Sequence, residues 1–158
     1  MPSFDEVWVL GAGVIGLGTA IRLREAGHAV RLLSDKPVDE TTPNVAAALW
    51  YPYLAEPRER VLAWAPRSFA VYRELEAVPQ ARVRTRPLLE LFAEAVPDPW
   101  WVEAAQGFRR ATPDELPPGC VDGYRVHVPV IEAPRHLQYL VGRLRSLGAE
   151  LEVLPRKV

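Results

Sequence analysis

The chain has 158 residues, of which 49% are hydrophobic and 25% charged, and its formal net charge at pH 7 is −1. This composition is typical of a soluble globular domain, and the near-neutral charge gives no reason to expect nucleic acid or an anionic membrane as a partner. No apolar run approaches the ~20 residues of a helical membrane span. The first residues, MPSFDE, lack the basic region of a secretory signal, and Cys120 is the only cysteine, so we expect a cytoplasmic protein.

The first 35 residues predict a βαβ unit. The short apolar run 6–10 before a glycine is typical of a buried parallel strand. Apolar residues at helical spacing over 14–26, followed by Gly27, indicate a helix with a glycine stop. Residues 29–33 predict a second strand, and the helical crossover has the length that a parallel pair needs.

The middle of the chain predicts helices and then a separate antiparallel layer. Residues 59–77 carry a helical apolar stripe, and Pro66 inside it predicts a break or kink. The stripe consists of Val61, Trp64, Ala65, Phe69, Tyr72 and Leu75. Short strands are expected at 83–85, 88–92 and 124–128, and the proline-rich stretch 97–119 is expected to be loop with one short helix. An amphipathic helix over 136–147 and a strand over 151–154 are expected to rejoin the first sheet.

Three glycines, Gly11, Gly13 and Gly16, form the pattern G-x-G-x-x-G between the first strand and the helix. In this context the pattern predicts a dinucleotide site, because the glycines allow a tight turn and the helix N-terminus attracts a pyrophosphate. Asp35 lies 19 positions after Gly16, where a carboxylate accepts a ribose hydroxyl and repels a 2′-phosphate. NAD and FAD both remain open at this point.

The stretch TTPNVAAALWYPYL, residues 41–54, bears on this choice. Thr41 and Thr42 supply hydrogen-bonding groups, and the three alanines at 46–48 let the backbone pass close to a flat ligand. A flavin has a use for such a segment, whereas a nicotinamide has no evident need of one. A tightly packed structural turn explains the same composition equally well.

The chain resembles the D-amino-acid oxidase family, which includes D-aspartate oxidase. The resemblance rests on four stretches in the same order. They are GAGVIGL from Gly11, TT followed by VAAALWYPYL from Thr41, AVPDPWW through GFRRATPDEL over 95–116, and PRHLQYLVGRLRSLGA over 134–149. Two positions depart from the family pattern, since Ala48 stands where glycine is usual and Tyr51 where glutamine is common.

The resemblance implies a flavoprotein that holds FAD non-covalently and oxidises D-amino acids to 2-oxo acids, ammonia and hydrogen peroxide, with oxygen as the acceptor. Its matching positions imply that the pyrophosphate meets Ala12, Gly13 and Ile15, and that the adenosine ribose meets Asp35 and Lys36. They imply that the ribityl and isoalloxazine parts meet Thr41, Thr42, Ala47, Ala48 and Leu49, and that the adenine meets the backbone of Val158. Tyr51 or Tyr53 is a candidate pocket wall.

The expected fold class is α/β, with a Rossmann-like FAD-binding βαβ unit on a parallel sheet and part of a mixed antiparallel substrate domain. The expected division is 1–55 for FAD binding and flavin contact, 56–78 for a helical segment, 79–132 for part of the substrate domain, and 133–158 for the return to the FAD-binding domain. We expect an incomplete chain, with the catalytic and substrate-carboxylate residues beyond Val158.

Arg109 and Arg110 are expected to be surface or packing residues, and no metal site is expected because the three histidines are scattered. The expected partners are a D-amino acid and oxygen, without nucleic acid or membrane, and a homo-oligomer is left open. Two alternatives also remain open, namely a related FAD-dependent amine or glycine oxidase and a non-catalytic dinucleotide-binding module.

Overall fold

A computed structural model describes residues 6–42 and 48–154. These residues form seven β strands and three α helices, and their contacts group them into two compact units. The first unit contains the described residues of 1–48, 80–82 and 132–158, and the second contains 49–79 and 83–131. In chain order the elements are β1 (Glu6–Leu10), α1 (Val14–Glu25), β2 (Ala29–Ser34), β3 (Ala48–Leu49), α2 (Arg58–Leu75), β4 (Val83–Phe92), β5 (Gln106–Arg110), β6 (Asp122–Ile131), α3 (Ala133–Ser146) and β7 (Leu151–Val153).

The first unit is built on a parallel sheet with the strand order β1-β2-β7. Val9 of β1 aligns with Leu32 of β2, and Leu32 in turn aligns with Leu151 of β7. Helices α1 and α3 pack together, and their apolar residues share one core with β2. The predicted βαβ unit and the return of a late helix and strand to the first sheet are therefore confirmed.

Strand β1 is not buried, and this part of the prediction is wrong. Trp8 is 60% exposed and Leu10 is 77% exposed, whereas Val9, between them, packs against the core shared with the helices. Successive side chains of a strand point to opposite faces. Among the described residues, α1 and α3 share a core with the face of β1 that carries Val9, so the opposite face, with Trp8 and Leu10, is exposed.

The second unit contains an antiparallel sheet. Its sheet order is β3-β6-β4, and β5 also pairs with β6. The predicted strands at 83–85 and 88–92 are one strand, β4, which runs through Pro87 and aligns with β6 from Val83↔Ile131 to Phe92↔Asp122. Strand β5 lies in the stretch predicted to be loop. The antiparallel layer itself is as predicted.

Helix α2 is a single helix from Arg58 to Leu75 with Pro66 inside it. Of the predicted break or kink at Pro66, the break is therefore absent from this described helix, and the kink stays a prediction. An interior proline removes one backbone hydrogen bond at a cost of about 3 kcal/mol. Burial of Ala65, Phe69 and Leu75 offsets that cost, and these three belong to the predicted stripe. Trp64, which the stripe also included, is 61% exposed.

Residues 49–55 group with the second unit and not with the nucleotide-binding segment to which the sequence assigned them. Trp50 accounts for this difference, because its amide donates to the carbonyl oxygen of Pro129 at 2.8 Å. Its indole Nε1 donates to Ser68 Oγ at 2.8 Å, and its ring meets Phe69 edge-on at 4.9 Å. A buried tryptophan thus ties the segment to α2 and β6.

Two leucines of the first unit's sheet, Leu32 and Leu10, should differ in how much their substitution by alanine lowers the free energy of unfolding. Leu32 is fully buried in the core that β2 shares with α1 and α3, so Leu32→Ala in the intact protein should lower the free energy of unfolding by about 2–5 kcal/mol. Leu10→Ala is the matched control and should lower it by less than about 1 kcal/mol. Urea denaturation measures both. Equal losses would contradict the exposed position of Leu10.

Burial of His136 predicts a pH dependence of stability. Its side chain is 3% exposed, its Nδ1–H donates to the carbonyl oxygen of Ala81 at 2.6 Å, and burial lowers its pKa below the usual 6.5. Between the folded-state and unfolded-state pKa values the unfolded chain binds more protons, so stability should fall as the pH drops below about 6.5.

Urea midpoints at about pH 7.5 and about pH 5 measure this loss. His136→Gln should reduce the difference between the two midpoints. His28→Gln is the matched control, because His28 is exposed on the same unit, and it should leave the difference as it is. A His136→Gln protein with the full pH dependence would show that other groups cause it.

Candidate functional site

Glycine is required at two positions where β1 meets α1, one in the turn and one in the first turn of the helix. Gly11 has a φ of +101°, a left-handed conformation that favours glycine, and its amide donates to the carbonyl oxygen of Leu33 at 2.7 Å. A Cβ added at Gly16 would lie 1.8 Å from the carbonyl oxygen of Gly11, well inside van der Waals contact. These constraints hold the first turn of α1 directly against the end of β1.

The N-terminus of α1 faces this turn without a cap. Gly13 is the N-cap in an extended conformation and provides no side-chain hydrogen bond, and the first turn of the helix contains no acidic residue. The first helical bond runs from the Leu17 amide to the Gly13 carbonyl oxygen at 3.0 Å, so the amides of residues 14–16 have no intrahelical partner. Unpaired amides and the helix dipole together favour an anion here.

A concavity of about 360 Å³ lies at the same place. Its walls come from the end of β1, the glycine turn and the first two turns of α1. Of the predicted pyrophosphate residues, Gly13 and Ile15 line the concavity, and Ile15 is 82% exposed, whereas Ala12 is 1% exposed and belongs to the core of the first unit. The structure therefore brings these three predicted residues together around one uncapped helix end.

Asp35 and Lys36 directly follow β2. Because β1 and β2 are parallel, their carboxyl ends lie at the same edge of the sheet, so Asp35 is on the glycine-turn side of the sheet. Asp35 is exposed, and the Lys36 amide donates to Ser34 Oγ at 3.4 Å. This placement fits the predicted ribose site.

The remaining predicted contacts are spread over other parts of the chain. Thr41 is buried, and its hydroxyl donates to the carbonyl oxygen of Val38 at 2.6 Å, so only its oxygen lone pairs are left for a ligand. Thr42 is exposed, Ala48 is half-buried, and Leu49 is 46% exposed at the start of the second unit. Ala47 and Val158 lie outside the described residues.

A carboxylate–phenol cluster in the second unit was missed by the sequence analysis. The hydroxyls of Tyr51 and Tyr124 both donate to Oε2 of Glu90, that of Tyr124 at 2.8 Å, and the two hydroxyl oxygens are 2.6 Å apart. Burial and the hydrogen bond to Glu90 raise the pKa of Tyr51. Burial, together with Glu90, raises the pKa of Tyr124 to about 12.

The signal for this cluster was present in β4. Leu88, Glu90 and Phe92 alternate onto one face of that strand, and Leu88 and Phe92 pack against the core of the second unit. A carboxylate between two apolar residues on a core-facing strand requires hydrogen-bond donors. The pattern therefore indicated a partner for Glu90, although it could not say which residues provide it.

Two arginines hold the proline-rich loops in place, as expected of packing residues. Arg110 donates to both carboxylate oxygens of Asp122, at 3.0 and 3.1 Å, and to the carbonyl oxygen of Val96 at 2.8 Å. Its contact with Asp98 is 2.6 Å. Backbone hydrogen bonds, chiefly from Val96, and the charge of Arg110 hold the pKa of Asp122 below its usual range.

Arg109 makes a bidentate pair with Glu115, with both distances 2.8 Å. This pair and the amide of Thr112 keep the pKa of Glu115 low. Within residues 6–42 and 48–154, no group of three or more potential ligands is arranged to hold a metal ion. In the same ranges no helix is both long and apolar enough to cross a membrane.

Comparison with known proteins gives the family. The sequence model described as FAD dependent oxidoreductase matches residues 6–152. The D-amino-acid oxidase of Rubrobacter xylanophilus is 51% identical over 92% of this chain and 45% of its own length, and that of Streptomyces coelicolor is 41% identical over 93% and 46%. The chain thus spans about 45% of the length of these curated relatives.

Among solved structures, glycine oxidase from Bacillus cereus matches with a TM-score of 0.64 and 20% identity, over 94% of this chain and 46% of that one. This likeness shows the fold. The resemblance given by the four sequence stretches is confirmed, as is the choice of FAD over NAD, because the family is FAD dependent. The chain belongs to the FAD dependent oxidoreductase family.

Proposed function

We propose that the first unit binds the adenosine diphosphate part of FAD, and that the protein carrying this chain oxidises D-amino acids. The observation that carries the binding proposal is the uncapped N-terminus of α1 against a turn that leaves no room for a Cβ at Gly16. The matches to D-amino-acid oxidases support the activity.

In this proposal the chain holds the pyrophosphate by its backbone. The amides of residues 14–16 donate to phosphate oxygens, and the positive end of α1 adds electrostatic stabilisation. The left-handed conformation of Gly11 turns the chain sharply enough for this approach. Asp35 accepts a ribose hydroxyl, and its charge disfavours a ligand with a 2′-phosphate.

The proposed reaction removes two electrons and two protons from a D-amino acid. Flavin supplies the hydride-accepting group when bound, as is usual for such cofactors. The imino acid is hydrolysed by water to a 2-oxo acid and ammonia, and oxygen is reduced to hydrogen peroxide. Ala48 and Leu49 are proposed flavin neighbours, and we assign no residue of this chain to proton or carboxylate handling.

The single free thiol, Cys120, supports a cytoplasmic location.

Gly16→Ala in the intact protein tests the binding proposal. The added methyl would overlap the Gly11 carbonyl oxygen, so the turn must open and the helix amides must move away from the pyrophosphate. We expect the Kd for FAD to rise by roughly ten- to a hundredfold, the effect of losing one hydrogen bond to a charged group. Flavin absorbance after dialysis against known FAD concentrations measures it.

Gly18→Ala is the matched control, because it lies in the same helix and an added Cβ would meet nothing within 4 Å. This variant should bind FAD as the unaltered protein does. Normal FAD affinity in Gly16→Ala would refute the proposed pyrophosphate site.

Peroxide production with a panel of D-amino acids, their L-enantiomers and glycine tests the activity. We expect turnover with at least one D-amino acid and at least a hundredfold lower kcat/KM with its L-enantiomer, because an oriented substrate exposes its α-hydrogen to only one side of a fixed acceptor. A preference for glycine would identify the related amine oxidase instead. A flavin-loaded protein without peroxide production on any of them would contradict the activity but not the FAD site.

A further inference from the structure

Ser34 is a polar exception on the core-facing side of β2. Side chains alternate along a strand, so Ser34 lies on the same face as Val30 and Leu32, both of which belong to the core of the first unit. Ser34 is only 7% exposed. A hydroxyl that is shielded from water at the end of an otherwise apolar face requires a hydrogen-bond partner.

The backbone at the end of β2 is held from both sides. The Gly11 amide donates to the carbonyl oxygen of Leu33, and the Leu154 amide donates to the carbonyl oxygen of Ser34, both at 2.7 Å. The first bond connects the strand to the glycine turn, and the second connects it to the residue after β7. Asp35 is the first residue beyond this fixed end of the strand.

The Ser34 side chain extends the restraint to the residues that follow β2. Its Oγ accepts a hydrogen bond from the Lys36 amide at 3.4 Å. Serine hydroxyls close short turns in this way, by bonding to the backbone two residues on. The bond spans Asp35, which is exposed at the edge of the sheet where the glycine turn also lies. The hydroxyl therefore holds the turn that presents the Asp35 carboxylate.

We propose that Ser34 is a positioning residue for recognition of the adenosine ribose, and that it acts through Asp35. This inference rests on the proposed FAD-binding function, in which Asp35 accepts a ribose hydroxyl. A hydrogen bond depends steeply on distance and angle, so the turn must hold the carboxylate in place before the ligand arrives. Without the Ser34 hydroxyl, the turn samples more conformations, and binding must then pay to order it.

The binding of ADP and of 2′-deoxy-ADP to the intact, flavin-free protein tests the proposal. The two nucleotides differ by one ribose hydroxyl, so the ratio of their Kd values, here called the ribose ratio, reports ribose recognition. In the unaltered protein ADP should bind roughly tenfold more tightly, the effect of one hydrogen bond to a charged group. Ser34→Ala should lower this ratio by roughly three- to fivefold, the effect of losing a neutral hydrogen bond. Titration calorimetry measures both Kd values.

Two further substitutions separate the hydroxyl from the shape of the side chain. Ser34→Thr keeps a hydroxyl, and Ser34→Val has nearly the same shape as that variant without one. Ser34→Thr should keep the ribose ratio of the unaltered protein, whereas Ser34→Val should lower it as Ser34→Ala does. Equal ratios in these two variants would assign the effect to packing and overturn the proposal.

A double substitution tests whether Ser34 acts through Asp35. Asp35→Ala removes the proposed ribose acceptor, so adding Ser34→Ala to it should leave the ribose ratio where Asp35→Ala alone puts it. A further fall of the ratio in the double variant would mean that Ser34 acts by another route, and the proposal would be wrong.

Ser146→Ala is the matched control. Ser146 belongs to the same unit, and its hydroxyl donates to the carbonyl oxygen of Arg143 at 2.7 Å, within α3. This substitution should keep the ribose ratio of the unaltered protein. A fall like that in Ser34→Ala would make the effect a general one of the unit and would count against a positioning role.

The outcomes separate this inference from the proposed function. If the unaltered protein binds neither ADP nor FAD, the proposed binding function fails and this inference fails with it. If Ser34→Ala binds ADP with an unchanged ribose ratio, the positioning role is wrong and the proposed FAD site stands. A lowered ratio in Ser34→Ala and Ser34→Val, with the full ratio in Ser34→Thr, supports both.

Discussion

The contact between Gly16 and the carbonyl oxygen of Gly11 is the constraint on which the first unit depends. A Cβ added at Gly16 would lie only 1.8 Å from that oxygen, so the backbones at the start of α1 and at the end of β1 are in direct contact. Helix α1 consequently starts at the end of β1 and runs back across one face of the sheet. That direction brings Leu17 and Ile21 into the core with Leu137 and Leu144 of α3. The same contact places the amides of the first turn of α1 beside the concavity, so the contact that the fold requires also forms the proposed anion site.

In the second unit, hydrogen bonds between polar side chains position the residues of the core. Its sheet carries the half-buried glutamate Glu90 beside an aromatic core, and a carboxylate there would be costly without hydrogen-bond donors. Two phenols supply the donors, and the aromatic rings of Phe92, Phe108 and Trp101 surround one of them, Tyr124. Specific hydrogen bonds therefore determine where these rings sit, which apolar packing alone would leave less defined. The stretches AVPDPWW and GFRRATPDEL contribute to the same arrangement through Trp101 and Arg110.

The parts of the fold that were predicted correctly are those where a local pattern and the tertiary environment agree. The βαβ unit is local, because the helical spacing of its apolar residues, its glycines and its whole crossover connection all lie within the first 35 residues. The predictions are wrong where contacts between residues distant in the sequence determine the local structure. Helix α2 passes through Pro66 because its buried face packs on a sheet formed later in the chain, and β5 exists because β6 pairs with it. The Glu90 cluster joins three residues far apart in the sequence, so no spacing rule could reveal it.

The exposure of the apolar side chains of Leu10 and Ile15 is consistent with the proposed anion site. Leu10 ends β1 and Ile15 lies in the first turn of α1, so both line the concavity beside the unpaired amides. Apolar walls do not compete with a phosphate for those amides, and they lower the local dielectric once a ligand displaces water. Hydrogen bonds from the backbone to a phosphate gain strength in such surroundings. A polar residue at either position would offer the helix end a competing acceptor or keep water in the site.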